Sequence, residues 1–275
     1  MVLALLCALA AAVAYGGATV LQAVAAARAD RAEGLDPRLL LRLLRSGPYA
    51  AGLLLDLVGF ALSLVALRQL PVYAVQSAIS ANLAVVALLS GPVLHARIGR
   101  PAWLAVGAVV AGLGLVALSA GREHPGVLSG SGRWGLLATA VLLSLVAAAL
   151  ARRPGVTGIV LGLLAGLEFG LVALAGRVVP ATLDPTVLVR DPAVWALLGA
   201  GAVSQVLYPA ALQRGSVTAT SATVVAAETL APALAGAALL GDTPRPGWVP
   251  AALAGVALVL AGALRLSRTQ AVQPA

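Results

Sequence analysis

Residues 48–67 read PYAAGLLLDLVGFALSLVAL, a stretch of 20 residues in which Asp56 is the one charged residue. A helix of about 20 apolar residues crosses the roughly 30 Å of hydrocarbon in a lipid bilayer. Eight further runs of this kind fill the chain, separated by short breaks that carry arginine or proline. The nine predicted spans are Val2–Ala27, Pro48–Leu67, Val72–Leu94, Pro101–Ala120, Trp134–Leu150, Gly155–Gly176, Ala193–Leu212, Ser216–Leu240 and Gly247–Leu264.

The composition of the 275 residues agrees with membrane spans. Hydrophobic residues make up 61% of the chain and charged residues 10%, whereas soluble domains carry about 25% charged residues. Strands of a membrane barrel would alternate over about 10 residues and would not give continuous apolar runs. The sequence therefore predicts an all-α, multi-pass protein of about nine transmembrane helices, located in the plasma membrane.

The basic residues are all arginine, and they are distributed unequally between the two sides of the predicted bundle. The side that carries the C-terminus receives 12 of the 18, and the other side receives six. Cytoplasmic loops carry the excess of basic residues, so we expect the N-terminus outside and the C-terminus in the cytoplasm. The stretch Asp36–Arg45, DPRLLLRLLR, predicts a short amphipathic helix on the cytoplasmic surface.

Motifs of soluble-type chemistry are missing from the sequence. Cys7 is the single cysteine, and no CxxC, HExxH, P-loop or GxSxG arrangement occurs. His95 and His124 stand near span ends and do not suggest a metal pair. The net charge of +8 comes from arginines in the breaks, where they set topology and contact lipid phosphates. We expect a protein that is not an enzyme, has no cofactor and binds no nucleic acid.

The chain also repeats itself. When Leu67–Trp103 is placed over Leu212–Trp248, a shift of 145 residues, the Arg-Pro-x-Trp motif at 100–103 falls on the same motif at 245–248. The coincidence could come merely from residues that commonly end helices, but we favour a true repeat of four spans. One intervening span would put the second copy into the bilayer upside down, as in many secondary transporters. The predicted units are 1–120, the linking span 121–154, and 155–275 with a short cytoplasmic tail.

The two breaks and their flanking spans resemble the drug/metabolite transporter superfamily. The breaks read HARIGRP at 95–101 and GDTPRPG at 241–247, each between a span rich in small residues and a glycine-rich span. The nine-span layout with an outside N-terminus is more similar to the NIPA-type magnesium-transporter branch than to the ten-span EamA branch, as is YGGATVLQ at 15–22. Gly59-Phe60 stands where the NIPA-type pattern has a Gly-Glu pair. The resemblance implies a transporter, with magnesium as one substrate.

Three carboxylates lie inside predicted spans: Asp56, Glu168 and Glu228. A charge in the hydrocarbon costs at least about 2.5–3.5 kcal/mol on insertion scales, so such residues are functional candidates. Pro232 cannot donate to the carbonyl of Glu228 and so leaves it free for an ion or proton site. The alternative for each acid is a protonated group that bonds a neighbouring helix. The remaining candidates along the pathway are the uncharged Asn82, Gln76, Gln205 and Tyr208.

These observations predict a secondary transporter of a small polar metabolite or cation, coupled to protons or another ion. The chain has no nucleotide-binding motif, so gradients would supply the energy. A NIPA-like transporter of magnesium or another divalent cation is the alternative within this class, and a non-transporting membrane scaffold is the alternative outside it. The expected partners are the lipid bilayer and the transported small molecule or cation, with a homodimer left open.

Overall fold

The computed structural model describes residues 2–28, 47–94, 99–120, 128–153, 155–180, 182, 184–214 and 217–270. These residues form helices and connecting turns. The helices are α1 Val2–Arg28, α2 Gly47–Leu67, α3 Val72–Ser80, α4 Asn82–Leu94, α5 Arg100–Ser119, α6 Gly130–Ala151, α7 Gly158–Val178, α8 Pro185–Arg190, α9 Pro192–Gln213, α10 Val217–Ala235 and α11 Val249–Gln270, with a π-helical turn at Gly236–Leu240. Within the described residues, nine helical segments are long and apolar enough to cross a membrane, which confirms the predicted fold class.

Two features of the breaks differ from the sequence prediction. The fifth span, predicted as Trp134–Leu150, begins earlier because the Ser129 hydroxyl accepts the Gly132 N–H and caps α6. The break after the sixth span holds the short helix α8, which was not predicted. The Asp184 carboxylate caps α8, and hydrogen bonds from Thr186 lower the pKa of this exposed side chain. Polar residues at these helix starts weaken the hydropathy signal on which the prediction relied.

The third and eighth spans, predicted as continuous helices, are both irregular. In the third, the α-helical ladder is interrupted at Ala81, whose N–H donates to the carbonyl of Ala78 at 3.1 Å. In the eighth, α10 passes into the π-helical turn, which Gly241 ends in the left-handed conformation with φ 71°. The two spans are counterparts under the shift of 145.

The burial of the spans places the third span, one of the two irregular ones, near the centre of the bundle. The third and sixth spans have the largest buried share and α6 the smallest. The outward faces carry exposed leucine and valine side chains, as lipid-facing helices do. The four tryptophans stand near the starts of spans and are exposed, at 103, 134, 195 and 248. That position suits interface anchors.

The two halves of the chain use the same packing scheme. Helix α1 packs on α2 and on the third span, and α7 packs on α9 and on α10. In the first half, a β-carbon on Gly16 would lie 3.0 Å from the carbonyl oxygen of Asn82. In the second, a β-carbon on Gly166 would lie 2.6 Å from the carbonyl oxygen of Val224 and 2.7 Å from Ala227, the counterpart of Asn82. Glycine thus lets the first span of each unit approach the third closely.

Helices α5 and α11 cross antiparallel through glycine contacts. A β-carbon on Gly112 would lie 2.6 Å from the carbonyl oxygen of Gly255, and one on Gly262 would lie 2.7 Å from that of Ala105. Helix α5 begins at Arg100, whereas the Arg245 N–H donates to the carbonyl of Ser119 at its other end. The two Arg-Pro breaks therefore lie at opposite ends of the bundle, as the inverted repeat predicts. The division into units 1–120, 121–154 and 155–275 stays a prediction.

Contacts between breaks define two ends of the bundle. The N–H of Gly158 donates to the carbonyl of Arg214 at 3.0 Å and joins two breaks at one end, which we call the Arg214 face. The opposite end, the Arg177 face, carries Leu67, Arg177 and Asp242. The arginine distribution predicts that the Arg177 face is the outer one. The predicted Asp36–Arg45 helix, His95 and His124 lie outside the described residues.

Candidate functional site

Tyr15 is the side chain around which the polar groups of α1 and α2 are arranged. Its ring lies on α2 at Gly59, where a β-carbon would be 3.3 Å from both Cδ1 and Cε1. Asp56 and Ser63 stand on the same face of α2, about one turn to either side of Gly59. The Tyr15 hydroxyl hydrogen-bonds with Ser63 and lies within electrostatic range of both Asp56 and Glu228. The first, second and eighth spans thus bring their polar groups to one place.

The third span joins this place through Gln76. Its buried side-chain Nε2 donates to the backbone carbonyl of Glu228 at 2.5 Å. This is the carbonyl that Pro232, which lies inside α10, leaves without a backbone donor. The sequence predicted a free carbonyl for an ion or proton, whereas the structure satisfies it with the amide of Gln76. The carboxyl group of Glu228 remains as the titratable candidate.

A second polar contact links the third and eighth spans one turn away. The hydroxyls of Ser80 and Thr229 are 2.8 Å apart, and Thr229 donates to the carbonyl of Val225 at 2.7 Å. Since Thr229 has a single hydroxyl proton, Ser80 is the donor in the first of these bonds. Both residues are buried. The contact fixes α10 against α3 directly beside the interruption at Ala81.

Glu228 is half-buried, and its neighbours Ala227 and Thr229 pack against α7 and α3. Tyr15 and Asp56 are likewise only half-buried. We call the group formed by Tyr15, Asp56, Ser63, Gln76 and Glu228 the central cluster. It contains two carboxyl groups, those of Asp56 and Glu228.

Glu168 belongs to a different part of the bundle. Its side chain is fully buried, Oε1 accepts a hydrogen bond from Ser144 of α6 at 2.8 Å, and Oε2 has no partner among the described residues. Gly166 and Gly170, each two residues away, face α10. Residues two apart project to nearly opposite sides of a helix, so Glu168 points away from α10. The structure therefore does not bring Glu168 and Glu228, both predicted as pathway residues, to one place.

Of the other residues predicted from the sequence, one lies near the central cluster and two lie away from it. Asn82 begins α4 beside the interruption, and its backbone carbonyl lies against Gly16. Gln205 is exposed on α9, on a different face from the buried Ser204, and the structure does not bring it to the central cluster. Tyr208 packs against the apolar cluster of α6, α7 and α10 that includes Ala165. Of the seven predicted residues, the structure brings Asp56, Gln76 and Glu228 together and places Asn82 near them.

Arg177 and Asp242 form a buried ion pair that the sequence reading missed. The span prediction ended at Gly176 and assigned Arg177 to a surface break, but α7 continues to Val178 and the Arg177 side chain is buried. Its Nη2 lies 3.0 Å from Asp242 Oδ1, and both side chains have no exposed surface. The sequence feature that could have indicated the pair is Asp242, an acidic residue at the end of the eighth span and on the same predicted face as Arg177.

Backbone groups complete the environment of the pair. Arg177 Nη1 donates to the carbonyl of Leu67 at the end of α2, and Asp242 Oδ2 accepts the N–H of Val72 at the start of α3, at 2.7 Å. Gly236 makes room for the carboxylate, since a β-carbon there would lie 3.0 Å from Oδ2. The pair therefore connects the ends of the second, third, sixth and eighth spans.

Comparison of the chain with protein-family models, with curated proteins and with solved structures gives no match. The described residues hold no group of three or more His, Cys, Asp or Glu side chains that could bind a metal ion. The function must therefore be argued from the arrangement of the residues themselves.

Proposed function

We propose that this protein is a secondary transporter of a small polar metabolite or cation, with Glu228 as its proton-exchanging group. The central cluster supports the proposal, because it brings two carboxyl groups, a phenol and an amide together among apolar helices long enough to cross a membrane. Intramembrane carboxyl groups are costly and commonly mark proton or substrate pathways. An interrupted span at the interface of two repeats is where such pathways are found.

The charges of the central cluster favour a proton or a cationic group over an anion. Asp56 and Glu228 both lie near Tyr15, and the buried arginine of the bundle, Arg177, pairs with Asp242 instead. A proton shared within such a cluster can be exchanged for a cationic or neutral substrate when the cluster becomes accessible from either side. The exchange needs no cofactor and no bond-breaking step.

The magnesium alternative has less support. Magnesium is bound through one or two carboxylates and keeps several waters, so Asp56 and Glu228 would be its ligands. The second span carries Asp56 but no carboxylate beside Gly59, and no larger acidic group occurs in the described part of the chain. The scaffold alternative would require the central carboxyl groups to serve only as hydrogen-bond partners.

Transport by purified protein in liposomes tests the proposal. An imposed pH gradient, a pH dye inside the vesicles and a panel of labelled metabolites, organic amines and Mg²⁺ would reveal a coupled substrate. We expect at least one compound to move protons in wild-type vesicles and not in Glu228→Gln vesicles. Vesicles that move none of the compounds, and show no compound-dependent proton flux, would favour the scaffold. Magnesium flux alone would favour the NIPA-like alternative.

A further inference from the structure

The Arg177 face is closed by a buried ion pair at the point where four span ends converge. Arg177 lies at the end of α7, and Asp242 follows the π-helical turn. Through the carbonyl of Leu67 and the N–H of Val72 the pair also holds the turn between α2 and α3. That turn and the segment after α10 belong to different repeats. The ion pair itself lies within the second half, and its two backbone hydrogen bonds bind that half to the first.

The central cluster lies directly below this contact. Asp56 and Ser63 are on α2, whose last residue is Leu67, and Gln76 is on α3, which starts at Val72. Glu228 is on α10, which leads to Asp242. The helices that carry the cluster are therefore the helices whose ends the ion pair joins. A path from the cluster to the Arg177 face must pass between these ends.

The sequence places different charges at the corresponding ends of the two units. Under the shift of 145, the counterpart of Asp242 is Arg97, and Arg28 follows the first span as Arg177 follows the sixth. Two arginines stand in the sequence where the Arg177 face has an arginine and an aspartate. Like charges repel, and an arginine cannot accept hydrogen bonds. The repeat is thus symmetric in its helices and asymmetric in the charges at its two ends.

The geometry points to the Arg177–Asp242 pair as the gate of the Arg177 face, which holds the resting protein closed on that side. The inference rests on the proposed transport function. Opening requires the carboxylate of Asp242 to separate from Arg177 and Val72, so the ends of α2 and α10 part. Arg177 already has one donor, Nε, without a partner among the described residues. In the closed state Arg177 thus makes one hydrogen bond fewer than its donors allow, and the open state can form that bond.

Accessibility of the central cluster from each face tests the gate without knowledge of the substrate. Cys7 is the single cysteine and Asp56 is half-buried, so Cys7→Ser followed by Asp56→Cys puts one reporter thiol in the cluster. A membrane-impermeant maleimide is applied to intact cells and to inside-out vesicles. With an intact pair, we expect slow labelling from the Arg177 face and faster labelling from the Arg214 face.

Asp242→Asn is the informative variant, because the amide oxygen still accepts the Val72 N–H while the charge is removed. The change removes the ion pair that favours the closed state. We therefore expect the rate of labelling from the Arg177 face to rise by about tenfold or more. Arg133→Gln is the matched control, since it breaks the other ion pair of that face, with Asp191, away from the convergent span ends. Its labelling should equal that of the parent protein. If Asp242→Asn fails to insert, Arg177→Gln replaces it with the same expected result.

Each outcome decides a separate claim. Equal labelling of Asp242→Asn and the parent, or an equal rise in Arg133→Gln, would overturn the gate and leave the transport proposal standing. A parent protein that is labelled from neither face would contradict the proposed function, because a transporter must expose its cluster to at least one side.

Discussion

Asp242 and Glu228 are two carboxylates of the same interrupted span, and their surroundings are opposite. Asp242 has no exposed surface, and its oxygens bind Arg177 at 3.0 Å and the N–H of Val72 at 2.7 Å. Glu228 precedes Asp242 by 14 residues, about 20 Å at 1.5 Å per helical residue. It is half-buried and has Tyr15 and Asp56 near it. One carboxylate is fully engaged in helix contacts, whereas the other belongs to the central cluster.

The difference shows what decides the role of an acid inside a membrane protein. A buried carboxylate that is paired and hydrogen-bonded has no free position for a proton or a ligand, and removal of its partner leaves an uncompensated charge. A carboxyl group that is only half-buried can exchange a proton or meet a substrate. We therefore expect substitutions of Asp242 to change stability and access, and substitutions of Glu228 to change transport.

Loss of the Asp242 side chain should have the largest effect on stability. Asp242→Ala leaves the Arg177 charge buried and the Val72 N–H unsatisfied. We expect the free energy of unfolding to fall by about 3–5 kcal/mol, measured by denaturant unfolding in detergent micelles. Arg133→Ala, which breaks a partly exposed pair, should cost about 1 kcal/mol or less. Equal losses for the two variants would show that burial is not what distinguishes Asp242.

Glu228→Gln should abolish pH-dependent uptake and leave the fold intact. Glutamine keeps the size and the backbone carbonyl that accepts from Gln76, but it cannot exchange a proton. We expect the unfolding free energy to change by about 1 kcal/mol or less, while proton-coupled uptake in proteoliposomes is lost across the pH range. Wild-type uptake by this variant would place Glu228 with Asp242 among the structural acids.

Gly236→Ala tests how tightly the surroundings of Asp242 are packed. The added methyl group would meet Asp242 Oδ2 at 3.0 Å and Val72 Cβ at 3.3 Å, so we expect a loss of about 1–3 kcal/mol from overpacking. Gly107→Ala is the control, because a β-carbon there meets nothing within 4 Å. Thermal unfolding of both variants in the same detergent should show a lower midpoint only for Gly236→Ala.

Glu168→Gln should give the smallest effect, a weaker loss of uptake than Glu228→Gln. The side chain is buried and bonds Ser144 of α6, away from the central cluster, so it can influence transport only through helix packing. Ser144→Ala should give a loss of similar or larger size in the same uptake assay, because it removes the hydrogen bond to Oε1. The amide oxygen of Glu168→Gln can still accept that bond. A loss as complete as that of Glu228→Gln, with Ser144→Ala unaffected, would assign Glu168 a proton of its own.

The sequence predicted the candidate site in part. The free-energy cost of a charge in the hydrocarbon identified Asp56 and Glu228 as candidates, and Gln76 was a candidate as an uncharged polar residue of the third span. Gln205 was chosen for its polarity alone, yet it is exposed on α9. Arg177 was read as a surface residue because it follows an apolar run, and its burial depends on Asp242, 65 residues later. Tyr15 was recognised as polar, but its position on Gly59 depends on how α1 packs on α2.

The sequence by itself determined the nine spans, the breaks between them and the shift of 145 that relates the two units. These follow from the length of helix that the hydrocarbon requires and from the residues that end a helix, which are local properties. Only the tertiary structure decided which polar groups meet, where the third and eighth spans are interrupted, and that Arg177 turns inward to Asp242. Contacts between helices depend on the rotation of each helix about its axis and on the close approaches that glycines allow. In a chain where almost every face is apolar, hydropathy cannot specify that rotation.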